Sequence, residues 1–363
     1  MKKICVIVGA RPNFVKVAPI IRVARQQADV ECLLVYAGRR DDPTLESSLF
    51  ADLQMPEPDV CLGVDSDRLN EITSRVMAEF DRLLDEHPVD VVIVVDDLAS
   101  TMAAAIVTKK RGIQLAHLVA GTRSFDITMP KEINRLVIDA LSDYLFTAGV
   151  KSTGVATREQ SEASHTYLVG NILMDTLRMN RDRLRQPAVV DGRRIVDQQY
   201  AVFTLNRRAL LADEPLLRRM LTEMVSVGWE IVAPLRDEAR KVVTRQLEAM
   251  AVDGLPTDRF HLVDPLSYLE FGWLTAHARV IVTDSGNVAE EATFNGIPCI
   301  TLNSYTEHQE TVSVGTNVLV GEDADRLRQA LATLQRGEWK KCALPDRWDG
   351  RTAERILQIL ISE

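Results

Sequence analysis

Short runs that are apolar at nearly every position alternate along the chain with stretches of helical spacing. The first is Lys3 to Val8. Gly9-Ala10-Arg11-Pro12 follows it, and a helix is predicted from about Phe14. A strand that is apolar on both faces belongs inside a parallel sheet covered by helices. Similar runs recur at Val30 to Val35, Val89 to Val95, Gln114 to Val119, Tyr200 to Leu205 and Trp229 to Pro234. They continue at Phe260 to Val263, Val280 to Thr283, Pro298 to Leu302 and Asn317 to Val320. Tyr144 to Thr147 and Thr166 to Val169 are shorter and read as edge strands. Arg68 to Glu86 carries Ile72, Val76, Phe80 and Leu84 on one side, the spacing of an amphipathic helix. Gly170-Asn171 punctuates the rhythm, which then restarts. The pattern predicts an α/β chain of two Rossmann-like parallel-sheet domains, residues 1–171 and 172–363, with a cleft between their strand ends.

The polar residues just past the apolar runs carry the candidate chemistry. Val280 to Thr283 stops at Asp284, turns through Ser285 and Gly286, and opens a helix. Such a helix start presents unpaired N–H groups and the positive end of the helix dipole, a setting that favours phosphate. Glu290 and Glu291 are expected in its first turn, where a carboxylate is favoured and can accept hydrogen bonds from sugar hydroxyls. The same residues equally describe a helix capped by Ser285 with nothing bound. Arg11, Asp97, Gly121, Asn206, Arg236 and Ser285 all closely follow apolar runs, the end at which open α/β sheets bind ligands. Arg11 also reads as a surface arginine beside a turn. No GxGxxG is present, and no acidic residue has the spacing of a dinucleotide site, which disfavours NAD.

Composition narrows the classes. A chain of 363 residues with a formal net charge of -9 fits two ordinary domains and argues against nucleic acid or an anionic membrane as partner. The five cysteines are scattered without metal-ligand spacing, and Cys5, Cys32 and Cys299 sit in strand-like runs as thiols of a reducing compartment. The N-terminus runs straight into a strand, and no apolar run reaches transmembrane length. The expectation is a cytoplasmic protein with neither metal nor cofactor.

Several stretches resemble the non-hydrolysing UDP-N-acetylglucosamine 2-epimerase family. They are Gly9-Ala-Arg11-Pro12 with Lys16 and Ala18-Pro19, Leu62-Gly-Val, and Met129-Pro-Lys-Glu-Ile-Asn-Arg135. Thr283-Asp-Ser-Gly-Asn-Val-Ala-Glu-Glu291, Thr301-Leu-Asn-Ser-Tyr-Thr-Glu307 and Gly315-Thr-Asn317 continue the series in order. The resemblance implies a GT-B fold whose second domain holds most of the nucleotide, with a terminal helix at about 351–360 crossing back to the first. It also implies a homodimer and a UDP-sugar as the partner. The family reaction inverts C2 of a UDP-HexNAc by eliminating UDP and adding it back. On this resemblance Ser285 and Gly286 hold the diphosphate, Glu291 the ribose hydroxyls, and Phe271 lies against uracil. Arg11 assists the leaving diphosphate and Asp97 is the surviving acid/base. Phe271 reads alternatively as a core aromatic beside Leu269 and Leu274.

The departures are concentrated at the reacting sugar. The family's His-Val-Glu-Ala-Gly is His117-Leu-Val119-Ala-Gly121 here, so a carboxylate becomes an apolar side chain. Pro-Glu-Glu becomes Pro130-Lys131-Glu132, and Ala-His-Arg becomes Leu205-Asn206-Arg207, exchanging an imidazole for an amide that cannot shuttle protons. Gly-Gln-His becomes Gly38-Arg39-Arg40, a second-domain histidine becomes Arg236, and Asp96 stands where glycine is usual. In the phosphate cradle, Asn287 replaces a glycine and His308 replaces an arginine. The new cations suit an anionic sugar such as a uronate, or are solvated surface charges. The implied functions are an altered 2-epimerase-like enzyme, a non-catalytic nucleotide-sugar-binding paralogue, or a glycosyltransferase-like use of the same residues.

Overall fold

Seven parallel strands form one sheet: β1 (Lys2–Val8), β2 (Val30–Tyr36), β3 (Val60–Cys61), β4 (Val91–Val95), β5 (Gln114–Leu118), β6 (Tyr144–Thr147) and β7 (His165–Leu168). Their order is β3-β2-β1-β4-β5-β6-β7. A second parallel sheet contains β8 (Tyr200–Phe203), β9 (Glu230–Pro234), β10 (Phe260–Val263), β11 (Val280–Thr283), β12 (Cys299–Thr301) and β13 (Asn317–Leu319), in the order β10-β9-β8-β11-β12-β13. The computed structural model describes residues 1–45, 47–192 and 194–362. The chain divides into two compact units, Met1–Asn180 with Asp346–Glu363, and Arg181–Pro345.

Each sheet reverses direction beside its first strand, between β1 and β4 and between β8 and β11. The turns flanking such a switch point diverge and leave room for a ligand at the carboxyl ends of the strands. The central strands are apolar at most positions because both faces are covered. Cys5, Ile7, Val92 and Val94 pack with Val76, Phe80, Ala103 and Ala104 on one side of the first sheet. In the second unit alternate residues serve opposite faces: Phe203, Ile231 and Val282 in one cluster, Val202, Val232 and Ile281 in another.

Some expectations need correction. β6 is an interior strand flanked by β5 and β7, its four residues buried; length alone misplaced it at an edge. The first helix runs Arg11–Arg25, not from Phe14, because Pro12 occupies its first turn, where a missing N–H removes no helical bond. Asn13 accepts hydrogen bonds through Oδ1 from the N–H groups of Gly9 and Ala10, tying that turn to the helix. Arg11 is therefore a helical residue rather than a loop residue.

The C-terminal helix Thr352–Ser362 packs against Arg11–Arg25 and Ile172–Asn180 in the first unit. The Asp175 carboxylate caps it, accepting from the N–H of Thr352 at 3.0 Å and of Ala353 at 2.8 Å. Gly170, at φ +103°, admits the returning chain: a Cβ there would lie 2.1 Å from the Arg347 carbonyl oxygen. All five cysteines are free thiols. Among the described residues, no helix is long and apolar enough to cross a membrane.

Candidate functional site

At the first switch point the chain leaves β4 through Asp96 and Asp97. Asp96 is left-handed at φ +59°, a conformation that aspartate tolerates better than most residues. Its carboxylate accepts from Lys16 Nζ at 2.6 Å and from Asn13 Nδ2 at 2.8 Å, so two residues of the first helix fix the turn after β4. Asp97 is buried and turned toward the Pro130–Leu141 helix. Its Oδ2 accepts from Arg135 Nε at 2.8 Å and Nη2 at 2.5 Å, and Lys131 Nζ stands 3.8 Å from Oδ1. Arg135 also pairs with Glu132 at 3.1 Å. Burial pushes the Glu132 carboxyl up, but the Ser124 and Phe125 N–H groups, the Ser124 hydroxyl and Arg135 outweigh it and leave the group below its ordinary value. A cavity of about 470 Å³ opens at the ends of β1, β2 and β4, lined by Gly9, Ala10, Tyr36, Arg39, Leu98 and Ser100 among others.

Beyond β5 lies a buried polar chain. His117 Nδ1 is 2.5 Å from Asp139 Oδ1, and its Nε2 is 3.0 Å from the Asp96 carbonyl oxygen. Both neighbours present acceptor oxygens to the ring. Asp139 Oδ2 takes Arg123 Nη1 at 2.7 Å and the Gly121 N–H at 3.1 Å. Burial raises the Asp139 carboxyl, yet His117 and then Arg123 pull it below its usual range. Val119 sits in this turn at φ +71°, a strained conformation for a β-branched residue. Gly121 follows at φ +73°, where a Cβ would lie 2.1 Å from the Ser152 carbonyl oxygen.

In the second unit β11 leads through Asp284 and Ser285 into the helix Gly286–Asn295. The Ser285 hydroxyl caps that helix, accepting from the Val288 N–H at 3.5 Å, and the Ser285 N–H donates to Thr283 Oγ1 at 3.0 Å. The Asn206 N–H donates to Asp284 Oδ2 at 2.8 Å, joining the two turns of the second switch point. With Gly286 as the first helical residue, Glu290 and Glu291 fall in the second turn, not the first. There Glu291 is buried, and burial with the neighbouring Glu290 charge pushes its carboxyl up to about 8. Glu290 pairs with His308, Oε1 to Nδ1 at 2.8 Å. The His308 ring also packs on Gly286, its Cδ2 and Nε2 lying 3.0 and 3.3 Å from where a Cβ would stand. Phe271 is half-buried on the Tyr268–Ala276 helix and packs against the cluster that holds Val288, Ala289 and Ala292.

Residues 22–361 match the family model described as UDP-N-acetylglucosamine 2-epimerase. The chain belongs to that family. The UDP-N-acetylglucosamine 2-epimerase of Methanocaldococcus jannaschii is 31% identical over 99% of this chain and 98% of its own. The UDP-2,3-diacetamido-2,3-dideoxy-D-glucuronate 2-epimerase of Pseudomonas aeruginosa is 30% identical over 91% and 92%. The crystal structure of the Methanocaldococcus enzyme, in complex with UDP-GlcNAc and UDP, matches at a TM-score of 0.84 with 30% identity, covering 99% of this chain and 100% of that one. The two parallel α/β sheets are the GT-B fold of UDP-N-acetylglucosamine 2-epimerases.

Within this epimerase-family chain, Arg11 and Asp97 stand at the ends of adjacent strands of one unit. Ser285 caps the helix of the other that carries Gly286 and Glu291, with Phe271 on a helix packed beside it. Arg39 is held by Asp41 and Asp65, and Arg40 stands 3.9 Å from Glu57. Among the described residues, no cluster of three or more His, Cys, Asp or Glu side chains could hold a metal. Two pairings escaped the reading of the sequence: Lys16 with Asp96, and Glu290 with His308. Each joins residues far apart in the sequence, so neither pairing was visible in the linear pattern.

Proposed function

We propose that this chain binds a UDP-HexNAc or a related nucleotide sugar and that its altered acid/base residues make ordinary C2 epimerisation ineffective. The observation that carries the reading is the environment of Asp97. Its carboxylate is engaged by Arg135 and flanked by Lys131, while Val119 and Asn206 stand where the resemblance has groups that exchange protons. Removing one general acid or base lowers a rate by about 100- to 10,000-fold, and three altered positions leave little of the usual route.

The nucleotide half of the reading rests on Ser285 and Gly286 at the start of a ten-residue helix, with Glu291 for the ribose and Phe271 for the base. The UDP-GlcNAc and UDP found with the Methanocaldococcus relative support it. Arg11 is proposed as a cation for the leaving diphosphate, and Asp97 as the remaining acid or base. The Pseudomonas relative's glucuronate substrate and the position of Lys131 favour including a uronate among the candidate sugars. The same reading carries a cytoplasmic homodimer serving surface-polysaccharide supply. The rival with a specific observation in its favour is a non-catalytic binding paralogue, because the departures fall on proton-transfer positions.

Calorimetry with UDP and UDP-GlcNAc tests the binding half. Saturable heat with either ligand supports the reading; no binding of either at millimolar concentration removes it. Light scattering of the purified chain tests the dimer.

A further inference from the structure

We propose that Asp96 sets the charge preference of the first switch point: by neutralising Lys16 it favours an uncharged sugar over one that carries a carboxylate. The inference rests on the nucleotide-sugar reading above, in which the next residue, Asp97, serves the sugar. Asp96 Oδ1 lies 2.6 Å from Lys16 Nζ, and the two side chains are only 18% and 7% exposed, so water screens the pair weakly.

The same carboxylate ends a chain of engaged donors. Asn13 accepts through Oδ1 from the N–H groups of Gly9 and Ala10, and donates through Nδ2 to Asp96 Oδ2. Two backbone donors at the end of β1 and one ammonium, the groups that would draw an anion there, are thereby tied to a single negative charge. The cavity beside this turn, flanked by Gly9, Ala10 and Ser100, is also lined by the carboxylates of Asp41, Asp42 and Asp65. Arg39, in the same lining, is held by Asp41 and Asp65. Lys131 is exposed and screened by water, and Arg11 is assigned to the diphosphate on the reading above. Removing the charge of Asp96 while Lys16 stays raises the local charge by one unit. A carboxylate on the sugar gains from that change without touching Lys16, and a hydroxymethyl group does not.

The test is calorimetric titration of the full chain with UDP, UDP-glucose and UDP-glucuronate, for the parent, Asp96→Asn, and Asp96→Asn combined with Lys16→Met. The two sugar nucleotides differ only in a hydroxymethyl or a carboxylate group. Asparagine is close in shape to aspartate and tolerates the left-handed backbone found at Asp96, φ +59°; thermal melts confirm that each variant is folded. The parent is expected to bind UDP-glucose more tightly than UDP-glucuronate. Asp96→Asn should shift that ratio toward the glucuronate by about tenfold, and the double variant should return it to the parent's. A merely structural effect of Asp96→Asn would not depend on Lys16. A parent that prefers UDP-glucuronate, an unchanged ratio in Asp96→Asn, or a shift that persists in the double variant overturns the inference. UDP binding without any shift in the ratio removes this inference and leaves the nucleotide-sugar reading standing; absence of binding of all three ligands by the parent removes both.

Discussion

The ammonium nitrogen of Lys131 stands 3.8 Å from Asp97 Oδ1, while Arg135 holds Oδ2 through two nitrogens. A carboxylate held from both sides has a structural duty in addition to any chemical one. The two cations differ in weight. Arg135 is buried with Asp97, whereas the Lys131 side chain is 66% exposed and its attraction is screened by water.

Replacing Asp97 with Asn should therefore lower the unfolding free energy by about 3 kcal/mol, because Arg135 loses a buried charge partner. Lys131→Ala should change it by less than about 1 kcal/mol. Urea titrations of the two variants check the contrast. Equal effects would show that Lys131 carries more of the pair than its exposure allows.

Glu291 gives a pH dependence of definite sign. Its folded value, about 8, lies above the unfolded 4.5, so the folded state binds the extra proton between the two. The resulting stabilisation is complete below about pH 4.5 and is lost as pH rises through about 8. Glu291→Gln should flatten the fall in stability between pH 5 and pH 8.5 and be more stable than the parent at the upper end. Urea midpoints across that range measure it; an unchanged slope would mean that the carboxyl is not held protonated.

The turn after β5 predicts opposite responses at neighbouring positions. Gly121→Ala places a Cβ against the Ser152 carbonyl in left-handed backbone and should cost about 3 kcal/mol. Val119→Gly removes the left-handed strain, about 1–2 kcal/mol, and should leave the melting temperature level or raised despite the lost methyl groups. Thermal melts separate the two, and a large loss in Val119→Gly would mean that its packing outweighs the strain.

Much of this architecture was legible because the central strands are buried on both faces. Runs such as Val91–Val95 and Val280–Val282 are apolar at every position, so their existence and the turns that follow them are visible in the sequence alone. Position within a sheet was not visible. Tyr144–Thr147 is short yet interior, and two-residue β3, closely preceded by Pro56 and Pro58, gave no strand signal. The site was legible as residue types at strand ends, but not as pairings. Asp96 and Lys16 are 80 positions apart, and only the β1–β4 neighbour relationship brings them together. The one-turn error at Glu290 and Glu291 came from the helix start, which Ser285 fixes by capping.

Asp175 joins the terminal helix to the first unit through two backbone N–H groups. Burial pushes its carboxyl up to about 6, although the bonds from Ala353 and Thr352 pull the other way. Asp175→Ala should cost about 1–2 kcal/mol through the uncapped N–H groups. Hydrogen exchange should quicken at Thr352 and Ala353 first; a uniform change across the protein would argue against a capping role.

The most direct test of the central claim is proton NMR of UDP-GlcNAc incubated with the purified protein in deuterated water. The account predicts a bound nucleotide sugar that keeps its C2 proton, with no UDP-ManNAc formed at an ordinary enzymic rate. Exchange at C2 with interconversion of the two sugars at such a rate would contradict it, and would show that side chains present in this chain do transfer the proton.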